Sequence, residues 1–164
     1  MDLTKYSEKD LFLTAMRNEI DAGAIYSKLA EMVKNAYLKD KLRFLAAEEE
    51  KHQKYLESAF SDRFAGEEIQ LPQNSIVPLP ELLIPDETVP LSTVIQSAMD
   101  AEGAAEEFYL AFASRFDESS NNKKTLELFA SMERGHYKIL EIEKENIEKF
   151  EEYDDYWPMM HMGT

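Results

Sequence analysis

The sequence predicts an all-α chain, an antiparallel four-helix bundle with a long crossover between the second and third helices. Three observations carry this. Four segments repeat apolar residues at alternating spacings of three and four, which is the seam of a bundle helix. Five of the six prolines (Pro72, Pro78, Pro80, Pro85 and Pro90) fall between the second and third segments, and proline removes the backbone donor that a helix interior needs. The second pair of segments also repeats the first. A solenoid needs at least three copies, so two copies predict a pseudo-twofold bundle of two hairpins.

The first helix is expected from about Ser7 to Tyr37, with Ser7 as N-cap and Asp10 three residues later. Its seam is Phe12, Met16, Glu19, Gly23, Tyr26, Ala30, Val33 and Tyr37. A break at 35–40 leads into the second helix, about Asp40 to Phe60, with seam Leu42, Leu45, Glu49, His52, Leu56 and Ala59. The crossover, about 61–90, includes a short helical turn expected near Leu82. At about 3.3 Å per extended residue it is long enough to run the full length of a bundle. The third helix spans about Leu91 to Phe116, with seam Ile95, Met99, Glu102, Glu106, Tyr109, Ala113 and Phe116. The fourth spans about Lys123 to Glu151, with seam Leu126, Phe129, Glu133, His136, Leu140, Glu143 and Ile147. A tail at about 152–164, containing Trp157, His161 and Met159, Met160 and Met162, is too short for another domain and reads as a surface tail.

A chain of 164 residues predicts one domain with a core of its own. Cysteine is absent, which excludes disulfides, Cys-ligated zinc, iron–sulfur clusters and thiolate catalysis. The formal net charge of −15 opposes nucleic acid and anionic membranes, both of which select Lys/Arg surfaces. Neither is expected as a partner. Met1-Asp2-Leu3-Thr4-Lys5 carries no apolar signal region, and no run approaches the roughly 18 apolar residues of a membrane span. The expectation is a soluble, cytoplasmic protein.

Five mid-helix seam positions are acidic (Glu19, Glu49, Glu102, Glu106 and Glu133), and two more are His52 and His136. Glu49/His52 and Glu133/His136 are both Glu-x-x-His, which puts carboxylate and imidazole one turn apart on the same face. Burying carboxylates in a dry bundle is costly unless they are paired or bound to a cation. Two divalent ions would compensate these. The alternative is a metal-free Glu/His/Tyr hydrogen-bond network, which is tolerated only if every member is satisfied.

The repeat and the depth of these residues agree. Glu19/Glu102 and Tyr26/Tyr109 are each 83 residues apart, and Glu49/Glu133 and His52/His136 are 84 apart. In an antiparallel hairpin, residues at one level lie equally far from the turn. The midpoint between Glu19 and the Glu49/His52 pair falls near residue 35, and that between Glu102 and the Glu133/His136 pair near residue 118. Both lie at or close to predicted breaks, so all six groups are expected in one layer.

One Glu on each of two helices, with Glu-x-x-His on the other two, resembles the ferritin-like di-iron or di-manganese carboxylate proteins. The resemblance runs from about Ser7 to Glu151 and includes the Pro-rich crossover. The Glu-x6-Tyr spacing in both halves, the size and the lack of an extended fifth helix look most like the erythrin domain of rubrerythrin. This resemblance implies a centre of two iron ions, with manganese as the alternative. Glu49 and Glu133 would lie close to both metals, bridging or bidentate. Glu19 and Glu102 would be terminal or bridging, and His52 and His136 would give one nitrogen to each metal. Oxygen-rich ligation with few nitrogens suits iron or manganese better than copper or structural zinc.

Rubrerythrins place a further carboxylate one turn after the third-helix ligand and use it in redox-linked ligand exchange. At that spacing this chain has Ala105, and the nearest substitute is Glu106. Glu106 is therefore a candidate catalytic residue; otherwise it bonds to Tyr26 or reaches solvent. Tyr26 and Tyr109 lie two turns from Glu19 and Glu102 on the same faces. They read as core aromatics whose hydroxyl needs a partner, or, as expected here, as phenols that hydrogen-bond and orient a ligand carboxylate.

The function implied by the resemblance is that of a non-haem di-iron oxidoreductase reducing hydrogen peroxide to water. Rubrerythrins usually carry a Cys-ligated rubredoxin domain, and the lack of cysteine implies a separate rubredoxin-like electron donor. A ferroxidase using dioxygen and a non-enzymatic metal-binding helical module are the alternatives. The family often forms dimers, sometimes exchanging helices through the crossover, so a homodimer is expected.

Overall fold

The computed structural model describes residues 1–80, 83 and 89–156, with helix backbone alone at 150–156. Among these residues there are four helices and no strand: α1 (Glu8–Met32), α2 (Ala36–Arg63), α3 (Leu91–Ala113) and α4 (Asn121–Tyr156). The α1 and α2 helices pair as one hairpin, α3 and α4 as the other. Between the hairpins the backbones come closest at α2 and α4. No described helix is long and apolar enough to cross a membrane.

The helix ends follow local chemistry. Ser7 Oγ accepts from the Asp10 N–H at 3.1 Å, and Asp10 Oδ2 accepts from the Ser7 N–H at 3.0 Å. This reciprocal cap starts α1 and is worth about 1 kcal/mol. The first break comes earlier than the seam suggests, because Asn35 Oδ1 accepts from the Leu38 N–H at 3.1 Å and caps α2. Tyr37, expected on the seam of the first helix, therefore lies in the first turn of α2 and is 64% exposed. At its far end α2 continues past Phe60 to Arg63, whose guanidinium pairs with Glu8 at 2.7 Å. Gly66, at φ 85°, then takes the left-handed conformation that a β-carbon disfavours.

The crossover is fastened to both hairpins. The buried Val77 donates its N–H to the Thr14 hydroxyl on α1 at 3.3 Å, and the Leu83 N–H bonds Ser97 on α3 at 2.9 Å. The helical turn expected near Leu82 falls outside the described residues. The α3 helix starts directly after Pro90 and ends at Ala113, short of the expected Phe116. Beyond it, the Arg115 guanidinium donates to the carbonyls of Leu3 and Tyr6 at 3.1 and 3.3 Å, which closes that end of the bundle. The α4 helix runs on to Tyr156, so the expected tail begins inside it. Trp157, His161 and the neighbouring methionines lie outside the described residues.

The core has two apolar blocks with a polar layer between them. Leu11, Phe12, Met16, Leu56, Phe60 and Phe112 belong to one block. Leu29, Leu42, Leu45, Ile95, Met99 and Leu140 belong to the other. Burying each such side chain contributes about 1.5–3 kcal/mol, so the apolar blocks hold the helices in place on both sides of the layer. In that layer stand Glu19, Glu49, His52, Glu102, Glu133 and His136, each at most 4% exposed.

Candidate metal centre

All four helices bring groups into the layer. The Glu-x-x-His spacing on α2 and on α4 turns one carboxylate and one imidazole inward together. The α1 and α3 helices add Glu19 and Glu102. Two sets of ligand atoms result, each within 4.8 Å: Glu19, Glu49, His52 and Glu133, and Glu49, Glu102, Glu133 and His136. Glu49 and Glu133 are common to both sets. His52 Nδ1 lies 3.4 Å from Glu19, 3.3 Å from Glu49 and 3.1 Å from Glu133. His136 Nδ1 lies 3.1 Å from Glu49, 3.1 Å from Glu133 and 3.7 Å from Glu102. The two rings are nearly parallel with centres 6.0 Å apart, and Phe129 stacks on His52 at 4.1 Å.

One of these approaches is a hydrogen bond, between His136 Nδ1 and Glu133 Oε2 at 3.1 Å. Both oxygens of Glu49, Oε1 of Glu133 and both ring nitrogens of His52 are buried without a hydrogen-bond partner. Native cores rarely leave such atoms unpaired. One ligand atom from each of these three residues clusters within 4.8 Å of the others, as ligand atoms do around an ion. A self-sufficient polar network would satisfy its members instead. Four carboxylates with two imidazoles suit iron or manganese, and the residues fit a dinuclear metal centre.

The electrostatics describe how the layer balances itself with protons alone. Burial, followed by the charges of Glu133 and Glu49, pushes the Glu19 carboxyl well above the usual range. Burial does the same to Glu102, with Glu133 and Glu49 adding to it against the pull of His136. For His52, burial opposes the charged ring, but Glu133, Glu19 and Glu49 outweigh it and raise the pKa to about 12. His136 is raised by the same contest, through Glu102, Glu133 and Glu49. Burial would raise Glu133 too, yet His136 and His52 take it down to about 2. Burial works against Glu49 in the same way, yet His136 and His52 lower it. Glu19 and Glu102 are thus pushed toward the protonated form, Glu133 and Glu49 toward the carboxylate, and both imidazoles toward the cation. Cations bound at the centre would take over from those protons.

Tyr26 and Tyr109 are fully buried and extend the layer. The Tyr26 hydroxyl donates to Glu102 and the Tyr109 hydroxyl to Glu19. Burial, then the facing glutamate, raises both phenol pKa values, so each tyrosine holds its proton as a donor.

Glu106 is placed differently. Its carboxylate pairs with Arg134 of α4 at 2.7 Å, its side chain is 20% exposed, and it belongs to neither set of converging ligands. The partner is neither Tyr26 nor the centre. Beside Glu102 the helix instead presents the buried Ala105, which lines a recess between α1 and α3 together with Asn18, Ala22 and Ala101. Sequence reasoning put Phe129 on the seam and Ala105 one turn after Glu102 without giving either a part in the site, and it passed over Asn18, Ala22 and Ala101. The one available signal was the run of small residues around Glu102, from Ala101 to Ala105.

A family model described as Rubrerythrin matches residues 10–141. Among solved structures, a hypothetical protein from Pyrococcus furiosus is similar, with a TM-score of 0.82 at 34% sequence identity, covering 91% of this chain and 95% of that one. No curated protein matches the chain. The architecture is a ferritin-like four-helix bundle, and the chain belongs to the rubrerythrin family.

Proposed function

We propose that the protein is a di-iron oxidoreductase that reduces hydrogen peroxide to water with electrons from a separate donor protein. The observation that carries this reading is the pair of ligand sets sharing Glu49 and Glu133, buried at the centre of a rubrerythrin-family bundle. Two ferrous ions bound there would supply one electron each, so that one hydrogen peroxide, two electrons and two protons give two waters.

The protein's own residues position and balance. Glu49 and Glu133 stand between the two half-sites, and His52 and His136 each present Nδ1 to one of them. Glu19 and Glu102 are the outer carboxylates, each steadied by a tyrosine hydroxyl from the other hairpin. The apolar blocks on either side keep bulk water from the layer, which strengthens every charge interaction within it. These 164 residues contain no cysteine for an iron–thiolate relay, so the reading includes a rubredoxin-like donor.

Stopped-flow mixing of anaerobic protein carrying two ferrous ions per chain tests this. Oxidation by hydrogen peroxide is expected to be much faster than by dioxygen. The reverse order would make the protein a ferroxidase, and no redox response at all would leave it a metal-binding module.

A further inference from the structure

We propose that small ligands reach the centre through the recess between α1 and α3, and that Ala22, Ala101 and Ala105 limit it to molecules no wider than a peroxide or azide. The inference rests on the di-iron reading and adds a substrate size class to it. The side of the layer formed by α2 and α4 is closed: the backbones approach there, and Phe129 lies flat on His52 with Tyr55 edge-on against it. Apolar blocks close both ends. Among the described residues, the α1/α3 side is where space remains. Asn18, Ala22 and Ala101 are half-buried and form the mouth, while Ala105 and the two shared glutamates are buried deeper.

The shared glutamates are what tie this space to a ligand. Glu49 and Glu133 line the recess, both are 1% exposed, and three of their four oxygens lack a hydrogen-bond partner. The recess has a cavity volume of about 10 Å³. That is room for roughly one water at a time. A bore set by alanine methyl groups admits a chain of two or three atoms end-on and rejects a branched or aromatic one. The Asn18 amide beside the mouth can both donate to and accept from the outer atom of such a ligand without adding charge. In the present arrangement the Glu106 carboxylate, turned to Arg134, does not fill the recess.

The test uses cobalt(II) as the metal and azide as the probe, read by the visible spectrum. Wild-type protein carrying two cobalt ions per chain is expected to bind azide with a clear spectral shift. Ala105→Leu should weaken azide binding at least ten-fold with two cobalt ions still bound. Ala22→Val, at the half-buried mouth, carries the same expectation if the leucine variant loses metal. Leu128→Ala, on the exposed outer face of α4, should change nothing. In the wild-type ferrous protein, hydrogen peroxide should react at least a hundred-fold faster than cumene hydroperoxide. Equal rates for the two peroxides, absence of azide binding to the wild type, or unaltered azide affinity in a variant with full cobalt content would each overturn the proposal. Azide binding lost in the variants together with no oxidation by any peroxide would uphold the port and sink the peroxidase reading.

Discussion

The Tyr26 hydroxyl on α1 donates to the Glu102 carboxylate on α3, so a residue of one hairpin orients an acid of the other. Tyr109 and Glu19 repeat the relationship in the opposite sense. Each tyrosine thus bypasses the glutamate two turns along its own helix. Both bonds are buried, and each ties the hairpins together at the level of the centre. Removing one hydroxyl leaves a buried acceptor unpaired, while the ring keeps its packing. Tyr26→Phe and Tyr109→Phe are each expected to retain two metals but to bind them about 10–100-fold more weakly. Competition titration with cobalt(II) measures this, and unchanged affinity in both variants would remove the tyrosines from any role in setting the carboxylates.

Glu49 and Glu133 are the only residues common to both ligand sets. Losing either takes an oxygen ligand from both half-sites at once, whereas Glu19 and Glu102 each serve one. Glu49→Ala and Glu133→Ala should therefore abolish stoichiometric binding of two metals, and Glu19→Ala should weaken one site preferentially. Metal analysis after equilibrium dialysis distinguishes the cases. Two tightly held ions in either shared-residue variant would contradict the arrangement.

Sequence alone made the layer legible, because charge on an apolar seam is expensive and therefore informative. The positions of Glu19, Glu49, His52, Glu102, Glu133 and His136 follow from a period of three and four that real helices obey closely. That same period misplaced Tyr37, since it runs on across Asn35, where a side-chain cap to the Leu38 N–H ends the register. For Glu106 it left two readings open, a part in the chemistry or a carboxylate bonded to Tyr26 or reaching solvent, because the seam does not encode Arg134 on α4, with which Glu106 pairs at 2.7 Å. The tyrosine partners depended on the gap between hairpins, which no single helix encodes. The recess was hidden for a plainer reason: it is defined by side chains too small to fill it.

Glu106 offers a direct check on that account. Its pair with Arg134 is partly exposed, with side chains 20% and 64% accessible, and pairs of this kind contribute about 0–1 kcal/mol. Glu106→Ala is expected to keep two metals, to lose less than about 1 kcal/mol of stability, and to react with peroxide within two-fold of the wild-type rate. Chemical denaturation, metal analysis and stopped-flow oxidation give the three readouts. A large fall in rate with full metal content would return Glu106 to the chemistry, through a swing away from Arg134.

Protonation sets the last expectation, and its sign depends on whether metal is present. In the metal-stripped protein the folded-state pKa of His52 stands near 12, above its ordinary 6.5, and His136 is also raised. Their contribution to stability is complete below about pH 6.5 and is lost as pH rises toward the folded values. Glu19 and Glu102, raised mainly by burial, act in the same sense from their ordinary 4.5 upward. Glu133, lowered to about 2, contributes above its ordinary 4.5 and loses that contribution as pH falls. The stripped protein should thus be most stable near pH 4.5 and weaken above it, first through Glu19 and Glu102 and from about pH 6.5 also by about 1.4 kcal/mol per pH unit for each histidine. The loaded protein should behave oppositely, since metal must displace those protons and its affinity rises with pH. Melting temperatures of stripped and cobalt-loaded samples from about pH 5 to 9 should accordingly slope in opposite directions. Parallel profiles would mean that protons and metal do not compete for this layer.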